Sequence, residues 1–293
     1  MNYVGYSAKY LKIEDFYTKL ALIAHNCYQA ISKTPDEIFI KNLIKNKHLA
    51  MCEHYHFHYL IDDELAKEFI YLNNPYIVLT KLENCYLLTC SIRPMIENYQ
   101  EYPNIFYPLI NSLPENIKNI FPVSESKKAK LIDLKDLPLE TYFKVRGKHH
   151  FLSVMVVTDR GVTHELVRHR PCSFAQESTR YCNYSKNKFG HSVSFIKPLD
   201  YDKYHEIYDK AYQEAEDNYF AFLENGATPD IARAVLPNGI KTSIAVTASE
   251  DEWNHIYELR LDKAAHKDMR YTMTLIQHEL KGEILWEQGH LLF

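Results

Sequence analysis

The sequence RHRPCSFAQESTR, residues 168–180, is the stretch around which the rest of the chain is organised. Three cationic or potentially cationic side chains come first. Ser178 and Arg180 follow at positions that point the same way in an extended segment. Pro171 disfavours the helical region for the residue before it, so a preceding helix should end here. Thr163 is the predicted N-cap of that helix, whose last turn would carry the basic residues.

The clustered positive charges of this stretch favour a nearby anion. The helix dipole stabilises an exposed cation by only ~0.3–1 kcal/mol, and three neighbouring cations repel one another. A hydroxyl and a guanidinium that converge on one point suit a phosphate group. A solvated basic loop is equally compatible with the charge pattern taken alone.

Composition limits the class of protein. The 293 residues are 46% hydrophobic and 25% charged, which predicts an ordinary globular protein of one large or two small domains. The net charge of −4 argues against non-specific nucleic-acid binding. No run approaches the ~18 apolar residues of a membrane span. The absence of GxGxxG and GxxxxGK motifs excludes a Rossmann or P-loop nucleotide cradle. Six scattered cysteines, with no CxxC pair and no secretory segment at the N-terminus, predict reduced thiols in a cytoplasm.

The pattern of apolar residues predicts a mixture of helices and strands. Residues 13–31 and 201–225 carry apolar stripes at spacings of three and four, which are typical of amphipathic helices. A capping box at residues 34–37, with proline at the first helical position, should open another helix. Residues 151–158 form a predicted buried strand. We interpret residues 62–150, which carry little recognisable chemistry, as an inserted lobe on the main fold.

A second capping box, formed by Ser249 and Glu252, begins a helix that carries Trp253, Ile256 and Arg260 on one stripe. An arginine in line with two large apolar residues should be partly buried. A buried guanidinium requires an anionic or acceptor partner. The alternative is that the side chain reaches out to solvent or pairs with a nearby acid.

Three histidines form a second candidate site. His54, His56 and His58 would lie on one face of a strand, and imidazole is a common ligand of transition metals. No HExxH-like partner accompanies them, so one functional histidine and two packing ones are the competing interpretation.

Taken together, these segments resemble the flavin-dependent thymidylate synthases, the thymidylate synthase complementing protein family. The central match is Arg168-His169-Arg170 followed, after seven residues, by Ser178. Further matches, in the same order along the chain, are Cys27-Tyr28, His48, Glu53-His54, Ala232-Arg233, Leu236-Pro237, Thr242, Leu259-Arg260 and Asp262.

The resemblance implies a fold and a reaction. The expected fold is α+β, with a curved, mainly antiparallel sheet surrounded by helices, over a single domain spanning residues 1–293. The expected activity is that of a methyltransferase that converts dUMP to dTMP. Methylenetetrahydrofolate would supply the carbon, FAD in its reduced form the hydride, and NADPH the electrons for the flavin. The expected assembly is a homotetramer with active sites at subunit interfaces, and no nucleic acid or membrane is an expected partner.

The resemblance also implies roles for individual residues. Arg260 is the implied catalytic residue, which would stabilise negative charge developing on the pyrimidine. Ser178, Arg180 and Arg233 would hold the phosphate, and Glu165 would contact dUMP from a neighbouring subunit. The full set expected at dUMP is Glu165, Arg168, Gln176, Ser178, Thr179, Arg180, Arg233 and Arg260. The set expected at FAD is His54, Arg168, His169, Arg170, Gln176, Ser249 and His255, and no metal ion is expected.

Two positions depart from the family pattern, because Ala175 and Ser249 stand where members carry asparagine. Ser249 could still offer a hydroxyl, although its role in the capping box competes for it. Two other functions remain alternatives: a metal-dependent hydrolase that uses His54, His56 and His58, and a non-catalytic nucleotide- or RNA-binding relative that keeps the anion site.

Overall fold

The computed structural model describes residues 1–29, 33–126 and 128–284. The strands are β1 (Asn2–Val4), β2 (Ser7–Tyr10), β3 (His56–Ile61), β4 (Ile77–Lys81), β5 (Tyr86–Ser91), β6 (Lys130–Ile132), β7 (Phe151–Asp159), β8 (Ser173–Gln176), β9 (Ser194–Ile196) and β10 (Lys241–Ser249). The helices are α1 (Phe16–Tyr28), α2 (Asp36–Lys45), α3 (Asp63–Leu72), α4 (Ile92–Asn98), α5 (Pro103–Ile110), α6 (Glu115–Lys118), α7 (Leu139–His149), α8 (Arg160–Leu166), α9 (Tyr201–Glu224), α10 (Pro229–Ala232), α11 (Glu250–Arg260) and α12 (Lys267–Glu279).

The central sheet is antiparallel and has the order β2-β7-β10-β8. Strands β7 and β10 pair along their whole length, from Lys241 opposite Asp159 to Ser249 opposite Phe151. Because side chains alternate across a strand, Val246 packs in the core that includes α11 and α12, whereas Ala245 faces the core that includes α1. The sheet therefore has helices on both faces.

A second antiparallel sheet, of order β4-β5-β3-β6, is formed mostly by residues 62–150. Its strand β3 comes from the segment before that range, and its core includes buried residues of α1 and α5. The lobe thus shares one continuous hydrophobic core with α1. A smaller third core surrounds α9 and the parallel pair of β1 and β9.

Several predicted elements are confirmed, with shifted ends. Helix α1 begins at Phe16, three residues later than predicted, because Asp15 caps it through the backbone N–H of Thr18. The predicted end of this helix at residue 31 lies outside the described residues. Pro35 is the N-cap of α2 rather than its first residue. The mixture of helices with mainly antiparallel sheets is confirmed, and sheet curvature stays a prediction.

The start of α8 was predicted wrongly. Asp159 is its N-cap, with the carboxylate 2.8 Å from the backbone nitrogen of Val162, while the Thr163 hydroxyl donates to the carbonyl of Arg160 inside the helix. Since α8 ends at Leu166, the basic residues 168–170 lie in the turn beyond it and not in its last turn.

The segment after β8 also differs from the prediction. Ser178 and Arg180 do not belong to an extended strand, because the carbonyl of Ser178 accepts hydrogen bonds from the backbone N–H groups of Tyr181 and Cys182. These residues form a turn, so the period-2 argument for their side chains fails. Within the described ranges, no helix combines the length and the apolar character needed to cross a lipid bilayer.

Candidate functional site

Helix α8 stands between two groups of positively charged side chains. Its C-terminal end leads into the turn Arg168–Arg170, which we call the basic turn. Its first residue, Arg160, lies near Arg233, whose charge contributes to lowering the Arg160 pKa after the larger effect of burial. Arg160 and Glu165 are five residues apart, which is ~7.5 Å along a helix axis at 1.5 Å per residue.

Arg260, at the end of α11, is held from three directions at the C-terminal end of α8. Its Nε lies 2.9 Å from Nε2 of His169. Its Nη1 donates to the Glu165 carboxylate at 3.1 Å, and its Nη2 donates to the Glu165 carbonyl at 3.2 Å. Only 19% of the side chain is exposed. The sequence prediction that Arg260 needs an acceptor is confirmed, and Glu165 supplies it within the same chain.

His169 is the buried centre of this group. Burial, and then the charges of Arg260, His255 and Arg168, lower its pKa to about 4. The ring is therefore neutral near pH 7, so its Nε2 can accept the hydrogen bond from Arg260. The exposed ring of His255 lies 6.1 Å from the His169 ring, in an edge-to-face arrangement. Two separated segments, residues 165–169 and α11, thus meet here.

The arginines of the basic turn are not neutralised by the protein. Arg168 and Arg170 are both exposed. Across the described ranges, no carboxylate oxygen lies within 4.0 Å of either guanidinium. Two free guanidinium groups beside a buried neutral imidazole form a donor set that suits an anionic, oxygen-rich ligand.

The second group consists of Thr179, Arg180 and Arg233. Nη1 of Arg233 lies 3.4 Å from the Thr179 hydroxyl, and the Arg180 guanidinium lies over the Tyr181 ring at 5.4 Å. The Asp230 carboxyl has a lowered pKa, first through a hydrogen bond with Thr228 and also through the charges of Arg180 and Arg233. Both arginines therefore lie close to one point on the surface.

Ser178 is fixed at the edge of this second group. Its backbone N–H donates to the carbonyl of Cys27 in α1 at 3.0 Å, and its carbonyl caps the turn that follows. The residue is partly exposed. The structure thus brings Ser178 and Thr179 together with Arg233, which lies more than fifty residues away in the sequence.

Gln176 is held between α8 and β10. Its amide nitrogen donates to the hydroxyls of Thr163, at 2.9 Å, and Thr242, at 3.1 Å. Next to it, the buried carboxylate of Glu177 pairs with Lys241 at 2.7 Å. Sequence reasoning missed Arg160 and this ion pair, and it named Thr242 as a family match without giving it a role in the site. The position of Glu177 inside the basic motif was the available signal for the pair.

Two residues that were expected to bind FAD use their side chains for hydrogen bonds within the protein. The Ser249 hydroxyl is the N-cap of α11 and accepts from the backbone N–H of Glu252 at 3.3 Å, as the capping box predicted. His54 is fully buried, with Nδ1 2.7 Å from the Thr247 hydroxyl of β10. His54 also precedes β3, because it ends a 3-10 turn at Leu49–Glu53.

The three histidines do not form a metal site. His56 stacks on Phe151 with ring centroids 3.7 Å apart, and His58 bonds Thr89 at 2.8 Å. His54 contacts Thr247 instead. Within the described residues, no group of three or more histidine, cysteine, aspartate or glutamate side chains could hold a metal ion.

The comparison with protein families matches the region that contains these groups. Residues 146–284 match the model described as thymidylate synthase complementing protein. This stretch of the chain is similar to that family. All the site residues named above lie within the match except His54 and the Ser178 contact residue Cys27.

Two flavin-dependent thymidylate synthases are among the proteins to which this chain is similar. The chain is 34% identical over 158 residues to the one from Saccharolobus solfataricus, which covers 51% of this chain and 60% of that protein. It is 33% identical over 148 residues to the one from Sulfurisphaera tokodaii, covering 50% of this chain and 56% of that protein. The chain therefore spans about three fifths of the length of the curated relatives it matches.

Among solved structures, the chain is similar to thymidylate synthase X from Helicobacter pylori, crystallised with FAD and dUMP. That similarity has a TM-score of 0.40 and 18% identity, and it covers 51% of this chain and 76% of the other. At this TM-score the likeness carries no argument about the site.

Proposed function

We propose that this protein is a flavin-dependent thymidylate synthase, which transfers a one-carbon group from methylenetetrahydrofolate to dUMP to give dTMP. One observation carries the proposal. Arginines from three separated segments gather around α8, and those of the basic turn have no carboxylate partner among the described residues. In a chain of net charge −4, such a local excess of positive charge favours an anionic substrate.

The second arginine group is the proposed phosphate site of dUMP. Arg180 and Arg233 supply guanidinium groups, and Ser178 and Thr179 supply hydroxyls, which are the donors that phosphate oxygens require. We propose that the nucleotide lies along α8, whose ends, Arg160 and Leu166, are ~9 Å apart along the helix axis, with its base at the other end. Gln176, between the ends, would contact the nucleotide along its length.

Arg260 is the proposed catalytic residue at the base. Its three hydrogen bonds to Glu165 and His169 hold the guanidinium in one orientation. A preorganised cation of this kind stabilises negative charge that develops on a ring during reaction. Glu165 fixes Arg260 within one chain, and we propose that it also reaches dUMP across a subunit interface.

The basic turn is the proposed site of FAD. Arg168 and Arg170 are exposed and unpaired among the described residues, so they fit the phosphates of the cofactor, and His169 with His255 would contact its flavin. FAD, when bound, would supply the hydride, and NADPH would reduce it. Ser249 has one lone pair left beyond its capping bond. The expected contact between His54 and FAD has the least support, because the His54 ring is fully buried.

We also propose the other features that the family resemblance implies for this protein. They are a homotetramer with interface active sites, one domain over residues 1–293 with an inserted lobe within 62–150, and a curved antiparallel sheet of the family's type. The six cysteines are unpaired, which supports a cytoplasmic location. Neither nucleic acid nor a membrane is proposed as a partner.

A release assay tests the function directly. The full-length protein is incubated with FAD, NADPH, methylenetetrahydrofolate and dUMP that carries tritium at C5. We expect tritium release that depends on all four, and its loss in Arg260→Ala. Arg270→Ala is the matched control, because the described contact of this arginine of α12 is with the carbonyl of Lys263 and not with a residue proposed to bind dUMP or FAD.

The assay also separates the alternatives. A non-catalytic nucleotide-binding relative would bind dUMP without releasing tritium, and that result would refute the enzymatic proposal. The metal-dependent hydrolase is not favoured, because His54, His56 and His58 contact three different partners. Activity that a chelator abolishes would instead support the metal-dependent hydrolase.

A further inference from the structure

A cavity of about 530 Å³ lies between the central sheet and the lobe, apart from the residues proposed to bind dUMP and FAD. It is of the size that holds a small metabolite. Residues of the N-terminal segment, α1, β3, α7 and β7 line it, among them Lys19, His56, His58, Arg146 and Phe151.

Lys19 is the unusual feature of this cavity. Its side chain is 9% exposed, although lysine is almost never buried without a partner. Across the described parts of the chain, no carboxylate oxygen lies within 4.0 Å of its ammonium group; its nearest aromatic contact is the Tyr55 ring, at 5.8 Å. Burial lowers the pKa of Lys19 to about 8, so the group is still largely charged at neutral pH.

The position of Lys19 makes this charge still less favourable. Lys19 is the fourth residue of α1, close to the helix N-terminus, where the macrodipole disfavours a cation. Its charge also lowers the pKa of His54 and His56, after the larger effect of their burial. Among the described residues, the distant contact with the Tyr55 ring is the one interaction found to compensate the ammonium group.

The other charges of the cavity are already balanced or exposed. Arg146 pairs with the buried carboxylate of Glu250 at 2.6 Å. Lys12 pairs with Glu283 at 2.8 Å. Lys135 is exposed to solvent. Two further carboxylates of the lining, Glu14 and Asp133, are also exposed, and neither lies within 4.0 Å of Lys19.

We propose that this cavity is a binding site for a small organic anion, whose carboxylate or phosphate group pairs with the ammonium of Lys19. The neutral rings of His56 and His58 and the stacked pair of His56 with Phe151 provide a largely uncharged wall for the body of the ligand. The anion would neutralise the buried charge and would also interact favourably with the N-terminus of α1.

Thermal unfolding of the full-length protein tests this site with two probes, benzoate and phenyl phosphate. A ligand that binds only the folded state raises the melting temperature as its concentration increases. We expect at least one probe to do so with the wild-type protein, and the stronger of the two identifies carboxylate or phosphate as the preferred group.

Lys19→Met provides the decisive variant, because it removes the charge and keeps the length of the side chain. We expect it to melt at a higher temperature than the wild type without a probe, since an unpaired buried charge is lost. We expect it to bind the probe about tenfold more weakly or worse. Lys135→Met, which removes an exposed lysine of the same cavity, is the control and should respond like the wild type.

A second measurement does not depend on the variant folding well. In protein labelled with ¹³C-lysine, the ε-carbon signal of Lys19, assigned by its absence in Lys19→Arg, should report an increase in pKa when the probe binds. The proposal is overturned if neither probe changes that signal, if Lys19→Met melts lower than the wild type without a probe, or if Lys135→Met loses the response equally. None of these results depends on flavin or dUMP binding, so they are separable from failure of the proposed enzymatic function.

Discussion

Replacing Arg260 with alanine should raise the pKa of His169. In the wild-type protein that pKa is lowered from its ordinary value of 6.5 to about 4, by burial first and then by Arg260, His255 and Arg168. Arg260 also donates a hydrogen bond to Nε2 of His169, which favours the neutral ring. The substitution removes a positive charge and this hydrogen bond together.

The expected increase in the His169 pKa has an upper limit. At ~1.36 kcal/mol per pKa unit, the whole difference between 6.5 and about 4 corresponds to ~3.4 kcal/mol. A unit charge at 4 Å, with an effective dielectric constant of ~20, would alone cost the protonated ring ~4 kcal/mol. Since burial is the larger cause, Arg260 must contribute less than this. We therefore expect Arg260 to account for about 1.4 kcal/mol, and for no more than half of the ~3.4 kcal/mol, which is about a tenfold change in the protonation equilibrium of His169.

The pH dependence of folding stability should change in the direction that the His169 pKa predicts. A histidine whose pKa is lowered in the folded state binds fewer protons than in the unfolded state, so folding stability falls as the pH falls from 6.5 towards 4. In Arg260→Ala this fall should be smaller, because His169 can bind a proton in the folded state at higher pH. Urea unfolding at pH 7 and pH 5, for both proteins, measures the difference.

Nuclear magnetic resonance of protein labelled with ¹³C at histidine Cε1 gives the pKa directly, with His169→Gln assigning the signal. Arg260→Lys is the matched control, because it keeps a positive charge next to the ring and should leave the His169 pKa low. If the pKa of His169 stays at about 4 in Arg260→Ala, then Arg260 does not set the protonation of this ring and the reasoning is refuted.

Three further predictions concern the surroundings of the site. Ser249→Ala should lower the free energy of unfolding by ~1 kcal/mol through loss of the α11 cap, measured with urea, whereas Ser249→Thr should lose much less. Glu177→Ala should cost ~3–5 kcal/mol, because it leaves Lys241 buried without its partner; a thermal midpoint equal to that of the wild type would contradict this. Gly239→Ala should destabilise the protein by ~1–3 kcal/mol, since the new Cβ would lie 2.0 Å from the Tyr212 hydroxyl. Combining it with Tyr212→Phe should recover part of that loss in calorimetry.

The sequence predicted the helices and the long strand of the fold better than their ends. Thr163 was predicted from the sequence as the N-cap of α8, whereas the N-cap in the structure is Asp159, and both residue types cap well. Asp159 caps it because its carboxylate reaches the N–H of Val162, while Thr163 is already one turn inside. Periodicity does not distinguish the two positions, because helix ends depend on which side chain reaches the free N–H groups.

The site was predicted well where residues are close in the sequence and less well where contacts are distant. The basic motif and Arg260 were recognised, and the structure brings Arg260 to Glu165 as a buried guanidinium requires. The strand predicted to carry His54 begins only at His56, because His54 is bound to Thr247, 193 residues further along the chain. A contact at such a distance leaves no periodic signal, and the metal hypothesis failed for that reason.

The two ends of α8 differ in how far the protein neutralises its own arginines, and the difference fits the proposed chemistry. At Arg233 the described contact is a hydroxyl, so the positive charge remains available for a ligand that is anionic before any reaction begins. At Arg260 the Glu165 carboxylate offsets part of the charge. A fully exposed cation there would bind any anion in the ground state, whereas a partly neutralised one interacts best when negative charge develops on the substrate. Glu165→Gln should therefore strengthen binding of anions at the basic turn while it lowers the rate of tritium release.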